Sequence, residues 1–392
     1  MKIAIVAGEE SGDQLGAGLI SSLRKQLEAE GDELELLGVG GKRMRAEGFN
    51  SFAPMELLSV MGIVEPLKRL PALLKLRSDL FKLIKSSNVD VMIGIDSPDF
   101  NIGLERKLKR EGIPCCHYVC PSVWAWRQNR VHKIRKSVDH VLTLLPFEQA
   151  FLARYQIAST FVGHPVADQF KQEELTGSSF VKKDMQSFNG VTTKKGNPLI
   201  CVMPGSRHSE LDRLLDTFTK TVKKCLATNA QMRFVIPAVN ESIMRRIDNV
   251  LTEQLKDQRK QVELVLDKSH YCINQSDAVL LASGTASLEA GLLAKPMVVA
   301  YRLGSMTYQI AKRMVKTEYF SLPNLLLNEK VVPELIQDQA SPDNLAAELM
   351  SLLNDPNKFE NTVRKLETLM PLLAINSNQQ AASAVLELVD RK

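Results

Sequence analysis

Residues 2–13 read KIAIVAGEESGD: a short apolar strand, Lys2–Ala7, then Gly8-Glu9-Glu10-Ser11-Gly12-Asp13. From Asp13 to Ala29 the pattern changes period, with Leu15, Leu19, Leu23 and Leu27 four residues apart, which predicts a helix. This strand–loop–helix unit recurs outward along the chain. Leu34–Leu37, Val89–Ile95, Cys115–Val119 and His140–Leu144 read as further strands, each followed by a polar or aromatic helix start. After residues 171–197, a polar stretch that reads as a boundary or linker, the alternation resumes at Leu199–Met203. Strands follow at Met232–Ile236, Val262–Val265, Ala278–Leu281 and Met297–Ala300, and helical patterns dominate from Leu345 onward. Alternating β and α elements predict parallel, doubly wound sheets, so the chain reads as an α/β protein of two Rossmann-like halves. In such sheets ligands bind at the carboxyl ends of the strands, so the loops there are the places to search.

Length and composition agree. The 392 residues suggest two or three domains, and 44% hydrophobic with 24% charged residues is the balance of a globular protein, not a disordered or fibrous one. No apolar run approaches the ~20 residues of a membrane-spanning helix. The apolar start, Ile3–Gly8, is too short for a signal peptide. These features predict a cytoplasmic protein whose six cysteines are reduced thiols. The net charge of +5 is uneven. Segment 67–85 carries six basic residues against Asp79, and segment 104–136 nine against two acids, so the remainder is acidic. A local positive field favours anionic partners such as phosphates, nucleic acid or an acidic membrane face.

Five loops carry groups able to do chemistry. The loop Gly8–Asp13 lacks the G-x-G-x-x-G spacing of a dinucleotide site, and its acids would repel phosphate. Glu9, Ser11, Gly12 and Asp13 suit a sugar hydroxyl; equally, Ser11 or Asp13 could serve only as a helix cap. After Val89–Ile95, the string Asp96-Ser97-Pro98-Asp99-Phe100-Asn101 places two carboxylates at the end of a strand. Asp96 is the candidate to accept a proton from a hydroxyl nucleophile, while Asp99 could instead cap the following helix near Asn101. Both tryptophans of the chain, Trp124 and Trp126, lie beside Arg127 in PSVWAWRQNR, a setting for stacking on sugars or acyl chains, although one of the two could be ordinary core. No nucleic-acid motif accompanies them.

In the second half, Gly205, Ser206 and Arg207 follow a strand and open a helix, the makings of a diphosphate cradle. Ser283, Gly284 and Thr285 repeat that logic. Glu289, one turn further on, could chelate a ribose diol or complete a capping box. There is no Walker-type loop and no D-x-D. Cys115, Cys116, His117 and Cys120 fall mostly within a strand, where cysteine is a small hydrophobe, so no metal or cofactor is predicted. His164 reads as a structural turn. The segment Glu65–Lys85, EPLKRLPALLKLRSDLFKLIK, alternates leucines, Phe81 and six bases at helical spacing, either as a membrane-surface helix or as a plain cover for the sheet. Pro71 would restrict it to a first-turn or kinked geometry.

The strings VAGEESGDQLGAGLI, VMGIVEPL, GIDSPDFNI, HYVCPSVWAWRQNRVHKI, FVGHPVAD, PGSRHSE, LLASGTASLEAGLLAKPMVVAYR and SLPNLLLN closely resemble the lipid-A-disaccharide synthase family, in order and over essentially the full length. The resemblance implies a GT-B-type fold of two Rossmann-like domains with the active site in the interdomain cleft. It implies domains at 1–170 and 198–370, and a C-terminal helix, 371–392, packing back on the first. The implied reaction joins UDP-2,3-diacylglucosamine to 2,3-diacylglucosamine 1-phosphate (lipid X) through a β-1,6 bond, with inversion and release of UDP. It carries the catalytic-base role to Asp96 and acceptor-side positions to Glu9, Ser11 and Asp13. Arg207, Glu289, Tyr301 and Asn324 fall in the strings that line the nucleotide side. Cys120 and Glu10 depart from the residues usual at their positions. The implied partners are the two acylated sugars and the cytoplasmic face of the inner membrane, with no nucleic acid; a homo-oligomer stays open. The alternatives weighed are another GT-B enzyme or UDP-GlcNAc 2-epimerase-like enzyme, and a non-catalytic lipid or nucleic-acid binder.

Overall fold

The computed structural model describes residues 1–58, 64–126, 128–176, 197–304, 308 and 317–390, the side chains of 64–69 and of 176 excepted. Arg127, most of the 171–197 segment, most of VMGIVEPL and the side chains of Lys68 and Arg69 therefore lie outside the described residues. Two compact units divide the chain. One contains Met1–Asp168 and Leu373–Lys392, the other Gln169–Arg313 and Thr317–Leu372.

The first unit is built on β1 (Lys2–Ala7), β2 (Glu35–Val39), β3 (Val91–Ile95), β4 (Cys115–Tyr118), β5 (His140–Thr143) and β6 (Ser159–Phe161), all parallel, in the order β2-β1-β3-β4-β5-β6. Strand β1 is a continuous apolar run because both its faces are covered: Ile3 to Ala7 are all 0% exposed. Helix α1 (Glu10–Glu30) buries Leu15, Leu19, Leu23 and Leu27 along one stripe and stops at Gly31, whose φ of 83° suits the left-handed cap. Because β2 and β3 lie on opposite sides of β1, the chain reverses direction across the sheet between β1 and β3. The register Ala7↔Ile95 brings their carboxyl ends together there.

The C-terminal helix Ser377–Asp390 completes this unit. Its Ala381, Ala382, Ala384 and Val385 enter the core that also holds Ile3, Ile5, Leu19 and Leu23. Its start is tied down by Asp168, whose carboxylate accepts the backbone N–H of Asn376 at 2.8 Å and that of Ser377. Helix α2 (Lys42–Ala46) and helix α3 (Val64–Ser86) follow β2. Helix α3 continues through Pro71, which lies in its interior, so of the two geometries expected the first-turn placement does not apply. Its C-terminal half covers the sheet, with Leu80 and Ile84 fully buried, whereas Leu70 and Leu74 are 47% and 51% exposed. The sheet-covering reading therefore holds for the C-terminal half, while Leu70 and Leu74 leave an apolar surface further toward the start of the helix.

The second unit has β7 (Leu199–Met203), β8 (Arg233–Ala238), β9 (Val262–Leu266), β10 (Ala278–Ala282), β11 (Met297–Tyr301) and β12 (Glu334–Ile336), parallel in the order β12-β11-β10-β7-β8-β9. Here the reversal falls between β7 and β10. The helix His208–Thr228 seals one face with Leu211, Leu214, Leu215, Phe218 and Val222. Strands β6 and β12 are additions to the sequence reading; each has three residues and lies at a sheet edge.

Candidate active site

In the first unit the reversal point is walled by the loops after β1 and β3. They pack closely: a side chain at Gly8 would put its Cβ 2.4 Å from Ser97 Oγ, so only glycine fits. Helix α1 starts with Glu9 as its cap, without a side-chain cap bond, so neither Ser11 nor Asp13 caps it. Glu9 and Ser11 are exposed and Gly12 is buried. Asp13 corrects the expectation that it faces a substrate. It is 2% exposed, and its carboxylate accepts the backbone N–H groups of Gly41, Arg43 and Met44 at 2.7, 2.8 and 3.1 Å. It caps α2, answering the unpaired N–H groups that open every helix.

At the end of β3 two successive residues, Asp96 and Ser97, adopt φ of 49° and 44°, a left-handed conformation that non-glycine residues rarely take. The residue after the neighbouring strand β4, Val119, has φ 80°, rarer still for a β-branched residue. Such strain persists only where the surroundings over-determine it. Asn101 supplies part of that. It sits, fully buried, on helix α4 (Pro98–Arg110), and its Nδ2 donates to the carbonyls of Val6, Ile95 and Asp96 at 3.1, 3.3 and 2.9 Å. Asn101 therefore staples the turn rather than contacting a ligand. The Asp96 N–H donates to Tyr118 O at 2.9 Å, while its carboxylate has no hydrogen-bond or ion-pair partner among the described residues. Asp99 does not cap α4; its side chain is 87% exposed and pairs with Arg130.

The loop after β4 is held from below. Trp124 is half-buried, donates its indole N–H to Glu148 Oε1 at 3.0 Å and meets Phe147 edge-on at 4.8 Å. Trp126 is 43% exposed. Burial pushes the Glu148 carboxyl up to about 8, although the N–H groups of Leu145, Trp124 and Leu144 oppose this. Strand alternation sends Cys115 and Cys116 into separate cores, and no cluster of three metal-ligating side chains exists among the described residues. All six cysteines are buried and unbridged.

In the second unit a cavity of about 590 Å³ opens at the carboxyl ends of β7 to β11. Gly205, Ser206, Arg207, Ser283, Gly284, Thr285, Glu289 and Tyr301 line it, as do Lys268 and Ser269. The two cradles differ. Glu210 already occupies the first: its carboxylate accepts the N–H of Ser206 at 2.9 Å and of Arg207 at 3.3 Å. Gly205, at φ 126°, makes that turn possible. The second is open. The helix Thr285–Leu292 starts at Gly284 without a side-chain cap, and the N–H groups of Gly284, Thr285 and Ala286 have no acceptor among the described residues. Open N–H groups at a helix start form an anion site. Tyr301 stacks on Phe320 at 6.4 Å, and burial raises its hydroxyl pKa.

Asn324 corrects a further expectation, because it does not line the cavity. It is fully buried, donates to Val332 O and Glu334 at 2.9 Å each, and accepts the N–H groups of Val331 and Val332 at 2.8 and 2.9 Å. Glu334 also accepts from Phe320 and Ser321, and Phe320 O accepts the Ser283 hydroxyl at 3.3 Å. Asn324 thus braces the Ser283 turn from behind. The sequence reading missed Lys268 and His270. Lys268 follows β9, so the rule of searching strand ends pointed to it; for His270 there was no signal.

Two parallel-sheet units of this kind define the fold shared by nucleotide-sugar epimerases and glycosyltransferases. The UDP-GlcNAc 2-epimerase of Neisseria meningitidis, solved with UDP-GlcNAc, superposes with a TM-score of 0.64 over all of both chains at 14% identity. A glycosyltransferase of Rickettsia africae gives 0.60 over 100% of this chain and 98% of its own at 13% identity. At those identities only the fold is shared. The particular family is set by sequence: the lipid-A-disaccharide synthetase family matches residues 3–388, and the chain belongs to it. The lipid-A-disaccharide synthase of Pseudomonas aeruginosa (strain UCBPP-PA14) is 44% identical over 100% of this chain and 99% of its own. That of Pseudomonas fluorescens (strain Pf0-1) is 46% identical over 99% and 98%. The chain is a glycosyltransferase of lipid A biosynthesis.

Proposed function

We propose that the second unit's cavity binds the UDP of UDP-2,3-diacylglucosamine and that the loops after β1 and β3 bind 2,3-diacylglucosamine 1-phosphate. The acceptor's 6-hydroxyl oxygen attacks the anomeric carbon, the bond to the β-phosphate oxygen breaks, and the hydroxyl proton passes to Asp96. A new β-1,6 bond forms with inversion and UDP leaves. Departing charge is met by the open N–H groups at Gly284–Ala286, by the helix dipole behind them, and by Lys268 and Arg207. The observation that carries this reading is the Asp96 carboxylate, without a partner among the described residues, on a strained turn at one reversal point, with helix-start N–H groups likewise unmet among the described residues at the other.

The finer partner is a membrane surface. Phe52, Leu57, Leu70 and Leu74 are large apolar residues of the first unit that are 44–51% exposed, and Lys75 and Lys82 on α3 are exposed as well. Among the described residues no helix is long and apolar enough to cross a membrane, so contact is at the surface. Two of the six bases expected to serve there are otherwise engaged: Arg77 stacks over Phe100 at 4.9 Å, and Lys85 pairs with Glu111 at 2.7 Å. The test of the catalytic assignment is UDP release from the two diacylated sugars in mixed micelles. Asp96→Asn should lower turnover by about 10²–10⁴ while leaving UDP affinity unchanged. Retention of more than about a tenth of the wild-type rate removes Asp96 as the base.

A further inference from the structure

We infer that His270 is a positioning residue that holds the Glu289 carboxylate toward the ribose hydroxyls of a bound uridine nucleotide. The inference rests on the reading that the second unit's cavity takes UDP. Glu289 stands one turn into the helix Thr285–Leu292 and borders that cavity. It does not serve as a cap partner: the third position of the helix is Ser287, which donates its N–H (3.1 Å) and its hydroxyl (2.7 Å) to Gly284 O.

One oxygen of Glu289, Oε2, lies 3.3 Å from His270 Nε2, and Oε1 has no partner among the described residues. The glutamate side chain is 20% exposed and the imidazole 30% exposed, so both sit at the wall rather than in bulk solvent. A glutamate has three rotatable bonds; anchoring one oxygen leaves the other aimed and the ordering already in place when ligand arrives. The imidazole is itself braced, because the buried Phe170 ring meets it edge-on at 4.9 Å and 87°. The short helix that carries His270 also begins beside Lys268 and Ser269 on the cavity wall. One element therefore supplies both a cation for the nucleotide and the restraint on Glu289.

The test is calorimetric titration of UDP and 2′-deoxy-UDP into wild type, His270→Ala, His270→Gln, His270→Asn and Glu289→Gln. His270→Ala and His270→Asn should lose about tenfold in UDP affinity, with a clearly smaller loss for 2′-deoxy-UDP, since an ordered hydrogen bond to a charged group is what disappears. His270→Gln, whose amide nitrogen reaches where Nε2 stands, should restore the preference for UDP. A His270→Asn protein that loses both nucleotides equally, or neither, overturns the positioning role even if the alanine variant fails to fold. If Glu289→Gln does not distinguish the two nucleotides, the fault lies with the ribose role of Glu289, a result separable from the failure of His270.

Discussion

The indole N–H of Trp124 donates to the buried carboxyl of Glu148 at 3.0 Å, so half of the chain's tryptophan hangs on a group that burial keeps protonated up to about pH 8. In the unfolded chain the same group titrates in the ordinary glutamate range. Between the two values the folded state binds the extra proton, so stability is full below the unfolded value, falls as pH rises through this window and levels off above about 8. Glu148→Gln should remove that slope. Calorimetric melting from about pH 5 to about pH 9 should show the variant gaining on wild type steadily as pH rises. In a Trp126→Phe background the Trp124 emission should titrate in the same window, and a flat emission would separate the two side chains.

Glu210 faces the nucleotide cavity while filling the first backbone cradle. A diphosphate there must displace a carboxylate of its own sign. Glu210→Gln should therefore bind UDP more tightly, by about three- to tenfold, and Arg207→Ala less tightly, by about 1.5 kcal/mol given the exposure of its side chain. Equilibrium titration with UDP reads both, and a weaker-binding Glu210→Gln would show that the carboxylate shapes the site more than it repels the ligand.

Removal of Asn324 leaves the buried Val332 N–H and its carbonyl without their side-chain partner, and takes one donor from Glu334 and one acceptor from the Val331 N–H. Asn324→Ala should lower the unfolding free energy by about 2–4 kcal/mol. Its UDP affinity, measured where the variant remains folded, should stay within about threefold of wild type, because the residue acts behind the Ser283 turn. Urea unfolding combined with UDP titration separates stability from binding.

The Leu70→Ser, Leu74→Ser double variant should lose binding to anionic vesicles in sedimentation with little change in melting temperature, since both side chains are already exposed. Equal sedimentation would return the whole of α3 to the role its C-terminal half already has, covering the sheet.

Strand positions were legible because parallel strands covered on both faces are apolar without interruption: Lys2–Ala7 and Leu199–Met203 coincide with β1 and β7. The edge strands β6 and β12 were not, since three residues carry no period. The cavity-lining loops were readable where strand ends meet glycines, as at Gly205 and Gly284. The duties of Asp13, Asn101 and Asn324 were not, because a buried polar side chain that satisfies backbone elsewhere in the fold, as Asp13 does at Arg43 and Asn101 at Val6, looks in sequence like one awaiting a ligand. His270 needed the fold itself to bring it to Glu289, 19 positions further along.

The union of Ile3 and Val385 in one core also sets a schedule. During synthesis β1 and α1 leave the ribosome long before the helix Ser377–Asp390, so the surface of α1 around Leu19 stays uncovered until that helix has been made. The core of the second unit is drawn from Ile200 to Leu352 and can form while synthesis continues. A nascent chain stalled before residue 377 should thus display a protease-resistant second unit alongside a first unit that proteases still open.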